Sequence, residues 1–491
     1  MWENCFRKML VSLLAAFLIL TFYGNIVALV QGVNPSEWWD SDWRYRIPIR
    51  IEEKSGNNLT DYQVCITIDT ASLISAGKMQ ANCSDIRFVD SANNELSYWI
   101  ESGGNTNNTK IWVKIPKIPA NEQITIFMYY GNSNAHSVSN MKNTFVVADD
   151  FNDGSLDTEI WTAKHFNPKD TSGTVSVNES MGVLTISVKD DDMGTCVEYG
   201  VEASINVSKF IEKFRLRTPN WGGTGSAGWY RNTKAVIMAH SGWVWLLTGE
   251  NGLLGTQTNG TYIENTADCS DIFNPEEYHV YMIIFDGKKS LFYVDGQNIG
   301  NLSIYLPIPP FVNVQFNCGQ WSPYYPNSIL QLDWVYLAKY TSPEPIYTLG
   351  REETFNKFDI PWEGETYRVS IISNSTVEDF NFSQPEMQIR FNVSGLSGTV
   401  GYCNVSIPKS LLRGEPWTVK INGTDWSFIQ SENATHSFIY FTYTHASTLQ
   451  VIIQGTWAIP EFSSTMILLF LMSLTSLAIA LKKKTRKITL V

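Results

Sequence analysis

Two stretches of the chain set aromatic rings among residues that favour loops. "NWGGTGSAGWY" at 220–230 holds Trp221 and Trp229, and "GQWSPYYPNS" at 319–328 holds Trp321, Tyr324 and Tyr325. Aromatic faces stack on the apolar faces of sugar rings, and surface loops on a rigid scaffold carry recognition. These five residues are the candidate carbohydrate-binding set. The rival reading folds the same rings back as plugs beneath their loops.

Templates for covalent or acid–base chemistry are missing. There is no Gly-x-Ser-x-Gly elbow, no His-Glu-x-x-His and no phosphate-cradling Gly-x-x-x-x-Gly-Lys. The histidines at 136, 165, 240, 279, 436 and 445 show no ligand spacing. Asp190, Asp191 and Asp192 concentrate acid, but adjacent strand residues point to opposite faces and Gly194 follows, so the cluster reads as a solvated turn. Beyond Cys5, Cys65 and Cys83 fall early, Cys196, Cys269 and Cys318 in the middle, and Cys403 late. None has Cys-x-x-Cys spacing, and Cys65–Cys83 is the expected disulfide.

The elements that must position such residues are strands. Over 491 residues, charged side chains make up 17% and aromatics 13%, and short runs of Val, Ile, Thr, Tyr and Phe alternate with Gly, Pro, Asn and Ser. That texture and length predict several β-rich modules. In "WRYRIPIRI" at 43–51, Trp43, Tyr45, Ile47, Ile49 and Ile51 share one strand face, which predicts a solvated outer face for Arg44, Arg46 and Arg50. A meander is predicted where Asp286-Gly287 and Asp295-Gly296 separate strands 279–285 and 290–294. Met387, Ile389, Phe391 and Val393 alternate with polar residues, so Asn392 is expected to point away from the core.

Two apolar segments frame the chain. Met9–Val30 follows Arg7 and Lys8, the layout of a secretory signal ending near residue 32. Ser463–Leu481, 19 residues without charge, precedes Lys482, Lys483, Lys484, Arg486 and Lys487. As a helix it spans about 28 Å, close to a hydrocarbon core of about 30 Å. The basic tail sets the rest of the chain outside the cell. Setting aside Glu3 and the seven basic residues of the end segments leaves 29 Lys/Arg against 47 Asp/Glu, a balance that excludes nucleic acid as a partner. Thirteen Asn-x-Ser/Thr sequons, at Asn58, Asn82, Asn107, Asn178, Asn206, Asn259, Asn301, Asn374, Asn381, Asn392, Asn404, Asn422 and Asn433, mark a candidate glycoprotein.

Specific motifs carry resemblances. "WDSDWRYRIPIRI" at 39–51, "SDIRFVDSANNELSYWIE" at 84–101 and "IWVKIPKIPANEQITIFMYYGN" at 111–132 resemble, in that order, the domain of unknown function 2341 family of archaeal and bacterial surface proteins. That family has no assigned activity. "DDFNDGSLDTEIWT" at 149–162 and "LQLDWVYLAKY" at 330–340 bracket a region similar to concanavalin A-like jelly rolls of the laminin-G and laminarinase kind. "FNVSGLSGTVGYCNVSIPKSLL" and "FIYFTYTHASTLQVIIQGTW" resemble a membrane-proximal module of archaeal surface proteins. Pro460-Glu461-Phe462, the apolar run and the basic cluster resemble the archaeal PEF-CTERM sorting signal, which implies processing by an archaeosortase.

The jelly-roll resemblance implies two tests. Laminarinase-type enzymes carry Glu-x-Asp-x-x-Glu, or a form one residue shorter, on one strand, and no such motif lies between Asp149 and Tyr340. Relatives hold Ca²⁺ between their first and last strands, and Asp150 and Asp333 match those places. The expectation is an all-β chain of tandem antiparallel β-sandwich or jelly-roll modules with a signal peptide and one C-terminal transmembrane helix. Its segments are 1–32 signal peptide, 36–141, 146–345 and 355–456 as modules, and 459–487 as sorting tail. The expected work is non-catalytic binding of carbohydrate or an envelope component at the cell surface, anchored in the membrane. A glycoside hydrolase with unrecognised acids and a purely structural envelope protein stay open as alternatives.

Overall fold

The computed structural model describes residues 38–102, 104–166, 171, 173–189, 197–219, 231–239, 242–247, 253–258, 261–266, 276–303, 311–320, 328–460 and 468–479. The expected signal peptide lies outside them. What is described is all-β, built from antiparallel sheets.

The first module has seven strands, β1 (Tyr45–Glu52), β2 (Leu59–Ile68), β3 (Arg87–Asp90), β4 (Glu95–Leu96), β5 (Tyr98–Ser102), β6 (Thr109–Ile118) and β7 (Gln123–Tyr130). They form two layers, β1-β7-β3-β4 and β2-β6-β5. Period-two alternation drives Ile49, Ile51, Val64, Ile66, Val113 and Met128 into the core between them. Each such side chain removed from water contributes about 1.5–3 kcal/mol, and Ile66→Ala should cost about 2–5 kcal/mol. The Tyr-Tyr-Gly-Asn ending also has a physical reason. Gly131 has φ +89°, and a Cβ there would meet the Tyr45 ring at 2.6 Å. Buried Asp85 accepts hydrogen bonds from the Gly131 N–H at 2.8 Å and the Gln80 N–H at 3.0 Å, tying the "SDIRF" segment to the end of β7.

The outer face of β1 departs from the expectation at one position. Arg50 and Arg44 are exposed, but Arg46 is only 2% exposed. The third module covers it: β1 pairs with β7 on one side and, on the other, with strands Glu353–Trp362 and Ile346–Leu349. First and third modules therefore share one continuous ten-stranded sheet. Trp38, Phe127 and Tyr129 ring the Arg46 guanidinium, whose carbon lies 4.6 Å from the Trp38 ring centroid and 4.4 Å from that of Phe127.

The expected disulfide does not form. Cys65 and Cys83 are both free thiols. Alternation along β2 explains it, since Val64 and Ile66 face the module core that contains Cys83 while Cys65 faces the other way, against Trp112, Phe145 and Tyr336 at the junction with the second module. The same junction holds Glu101, which accepts from Trp112 Nε1 at 2.6 Å and from Lys213.

The second module is a sandwich of an eight-stranded and a seven-stranded sheet around one core. The expected meander is present, with strands His279–Phe285, Ser290–Val294 and Gln297–Leu302 and positive φ at Asp295 and Gly296. In the third module a five-stranded sheet packs on its share of the ten-stranded sheet. Ile389, Phe391 and Val393 are fully buried there, and the Asn392 amide instead donates to Asp379 at 2.7 Å. Near the C-terminus residues 468–479 form an exposed helix. Among the described residues no helix is long and apolar enough to cross a membrane.

Candidate functional site

The five aromatic candidates, Trp221, Trp229, Trp321, Tyr324 and Tyr325, lie outside the described residues. Described residues beside them are nevertheless partners: Arg231, two residues after Trp229, pairs across strands with Gln320, which precedes Trp321. Gln320 also pairs with Val197. The strands that meet there belong to the seven-stranded sheet.

Strand Phe311–Gln320 shows how the sequence builds this face. Val314, Phe316 and Cys318 enter the sandwich core, which leaves Asn313, Gln315 and Asn317 on the opposite side. Gln315 and Asn317 are nevertheless only 3% and 2% exposed. Gln315 Nε2 donates to Glu202 Oε2, Lys164 Nζ donates to Glu202 Oε1 at 2.5 Å, and Ser204 Oγ donates to Asn313 Oδ1 at 2.8 Å. Asn317 Oδ1 has no hydrogen-bond partner among the described residues. Its cross-strand neighbour is Gly200, where a Cβ would lie 2.0 Å from the Phe316 carbonyl oxygen, so only glycine lets the two strands approach this closely beside the orphaned amide. Backbone register extends these rows through Val236 to Trp245 and through Met238 to Trp243.

This set of groups is rich in fixed hydrogen-bond donors and acceptors. Amides do not titrate, and both Glu202 oxygens are engaged. Glu198 is four residues away on the same strand face, about 13 Å at ~3.3 Å per residue, well beyond the ~5–9.5 Å that paired glycosidase carboxylates need. An acceptor buried without a partner among the described residues, amid amides and a carboxylate, suits a ligand that donates hydroxyl hydrogen bonds.

The calcium expectation meets a different arrangement. Asp333 is the extra residue of a β-bulge, and its carboxylate accepts from Arg215. Asp150 is half-buried, while its neighbour Asp149 takes the inward position, accepting from Trp161 Nε1 at 3.0 Å and the Phe151 N–H at 3.1 Å. The ammonium of Lys142 lies 3.5 Å from Asp149, 3.2 Å from Asp153 and 3.2 Å from Asp157. A side-chain cation thus already sits among the acids at the start of the second module. Burial pulls the Lys142 ammonium down, but these carboxylates outweigh it and its net shift is upward. Among the described residues no group of three or more His, Cys, Asp or Glu is disposed to hold a metal ion.

Of the sequon asparagines, Asn58, Asn82, Asn107, Asn178, Asn206, Asn301, Asn381, Asn422 and Asn433 are exposed, and Asn374, Asn392 and Asn404 are half-buried. Asn259 lies outside the described residues. Asn374 uses both ends of its amide, donating to the Val400 carbonyl at 3.1 Å and accepting from the Tyr402 N–H at 2.9 Å.

Sequence reasoning missed the amide row, although "NVQFN" at 313–317 displays it: amides, not charges, occupy the polar parity of a strand whose other parity is apolar. It also missed Glu212. That residue shares the parity of Phe210 and Phe214, is 0% exposed and has no partner for either oxygen among the described residues. Burial pushes its carboxyl up to about 8.

Known proteins add one family. Residues 82–164 match the domain of unknown function DUF2341. The matched stretch runs beyond the first module, through Phe145 packed on Tyr336 at 4.1 Å and through the Lys142 cluster, into the second module. No curated protein matches the chain. Among solved structures, the laminarinase catalytic domain of Thermotoga petrophila RKU-1 is similar at 14% identity and a TM-score of 0.31, covering 40% of this chain and 97% of that one. The endo-β-1,3-glucanase of Pyrococcus furiosus is similar at 12% identity and a TM-score of 0.31, covering 40% and 94%. At these scores the likeness carries no functional information.

Proposed function

We propose that the protein is an exported glycoprotein of the cell surface, held by its C-terminal segment, whose second module binds a carbohydrate or another polyhydroxylated envelope component without catalysis. The observation that carries this reading is the enclosed amide row, in which Asn317 Oδ1 has no hydrogen-bond partner among the described residues. A hydroxyl of the ligand would donate to that oxygen, and the aromatic residues close in sequence to Arg231 and Gln320 would supply stacking surfaces. The separation of Glu198 from Glu202 favours binding over hydrolysis. Export and anchoring are supported by the two apolar end segments, the basic tail and the sequons. Within this reading the tail resembling a sorting signal is the substrate of an archaeosortase-type enzyme.

The test is a glycan array with the full chain, followed by titration calorimetry on any ligand found. Asn317→Leu should weaken binding by about 5- to 150-fold, the worth of about 1–3 kcal/mol for a buried hydrogen bond. A blank array, or an Asn317→Leu variant that binds undiminished, overturns the placement. Release of reducing sugar from a bound glucan would replace binding with hydrolysis. For the anchor, a mature peptide spanning Met466 to Lys487 would exclude removal of the tail.

A further inference from the structure

The third module carries a concavity that the amide row does not explain. It opens between the two sheets, has a volume of about 510 Å³ and is lined by Asn422, Thr424, Trp426, Thr442, Val400 and Tyr443 among others. That volume is typical of small-molecule sites, which run from about 300 to 1,000 Å³. Trp426 and Val400 are exposed apolar residues at its rim, and Tyr443 is buried at its floor. The Trp426 indole is held in place, since Nε1 donates to the Thr442 carbonyl at 2.8 Å.

At the same lip the chain places a sequon, Asn422-Gly423-Thr424, in the tight turn of a hairpin. Positive φ values of 49° at Asn422 and 80° at Gly423 are those of a two-residue turn that projects outward. Asn422 Oδ1 accepts from the Gln450 N–H at 2.8 Å, which fixes the carboxamide, and Nδ2 makes no hydrogen bond among the described residues. Sequon and aromatic ring thus line one cleft. At Asn374, by contrast, the amide nitrogen is consumed by the fold.

We infer that Asn422 is N-glycosylated and that its own glycan occupies this cleft, the first sugars lying against Trp426 and bonding the hydroxyls of Thr424 and Thr442. The inference rests on the exported, glycosylated reading above. Attachment joins Nδ2 to the anomeric carbon of a lipid-phosphate-linked oligosaccharide. The carbon–oxygen bond to phosphate breaks, and the proton lost from nitrogen leaves with the lipid phosphate. The glycan then takes the place of solvent over an exposed indole and closes the open end of the module.

Glycopeptide mass spectrometry of the full chain from the cells that produce it, combined with hydroxyl-radical footprinting, tests this. Asn422 should be occupied. Trp426 should oxidise several-fold faster in Thr424→Ala, which removes the sequon at an exposed position, and at the unaltered rate in Thr424→Ser, which keeps it. Asn422 found bare while other sequons are occupied overturns this inference alone, as does an occupied Asn422 with unprotected Trp426. No occupied sequon anywhere overturns the glycoprotein reading as well.

Discussion

The Nε of Arg46 donates to Oε2 of Glu353 at 2.6 Å, closing a contact across 307 positions of sequence. The two are also cross-strand partners, so the ion pair sits on the seam where the first module's sheet becomes the third module's. Burial alone would push the guanidinium down, but Glu353, Tyr129 and Tyr402 outweigh it and Arg46 is held charged. Removing one partner leaves the other charge buried, so Arg46→Met should cost about 3–5 kcal/mol in denaturant unfolding. The double variant Arg46→Met with Glu353→Leu should lose less than the sum of the single losses. Simple additivity would mean that the pair does not couple the two modules.

Glu212 gives the second module a pH signature. Its folded carboxyl is raised to about 8 from an ordinary 4.5 by burial. A raised acid binds its proton more tightly when folded, so its contribution is complete below about pH 4.5 and is lost as pH rises through about 8. The slope approaches about 1.4 kcal/mol per pH unit within that window. Glu212→Gln, which cannot ionise, should therefore gain on the wild type steadily between pH 5 and 8, measured by urea unfolding. Parallel curves for the two proteins would show that Glu212 has a partner when folded.

Much of the strand order was legible because alternation is a local signal. Ile49 and Ile51 in β1 and the inward Ile389, Phe391 and Val393 follow from it, and the meander from His279 to Leu302 follows from its Asp-Gly turns. What alternation does not reveal is what covers the other face. Arg46 and Cys65 each occupy the outward parity of a strand and are buried only because another module packs there, Arg46 under the third and Cys65 against the second. The amide row was missed for the same reason. Gln315 and Asn317 occupy the polar parity of their strand, and only the structure shows them enclosed.

Lys142 stands where a cation among Asp149, Asp153 and Asp157 is needed. Asp149 is raised by burial even with the lysine in place. Lys142→Met should cost about 1–3 kcal/mol at pH 7, because a buried carboxylate loses its charged partner. The folded carboxyl of Asp149 would move further up, so the deficit is present at neutral pH and shrinks as acid protonates the cluster. Thermal melts of the variant at pH 7 and pH 4 would show the gap to wild type narrowing. A constant gap would assign the lysine's role to packing by its methylene stem.

Cys65 and Cys83 face different cores, so the fold offers them no route to a bridge. Burial, with Glu101 nearby, pushes the Cys65 thiol up to about 12, and burial also raises Cys83. Thiolates are the reactive form, so both should resist iodoacetamide at pH 8 in the folded protein. After denaturation without reductant both should be alkylated fully, as should Cys318 and Cys403, which are likewise free. Reductant should leave the labelling of these four thiols unchanged. A peptide joining Cys65 to Cys83 in the unreduced digest would require β2 to turn its outward face into the first module's core, exposing Val64 and Ile66 in exchange.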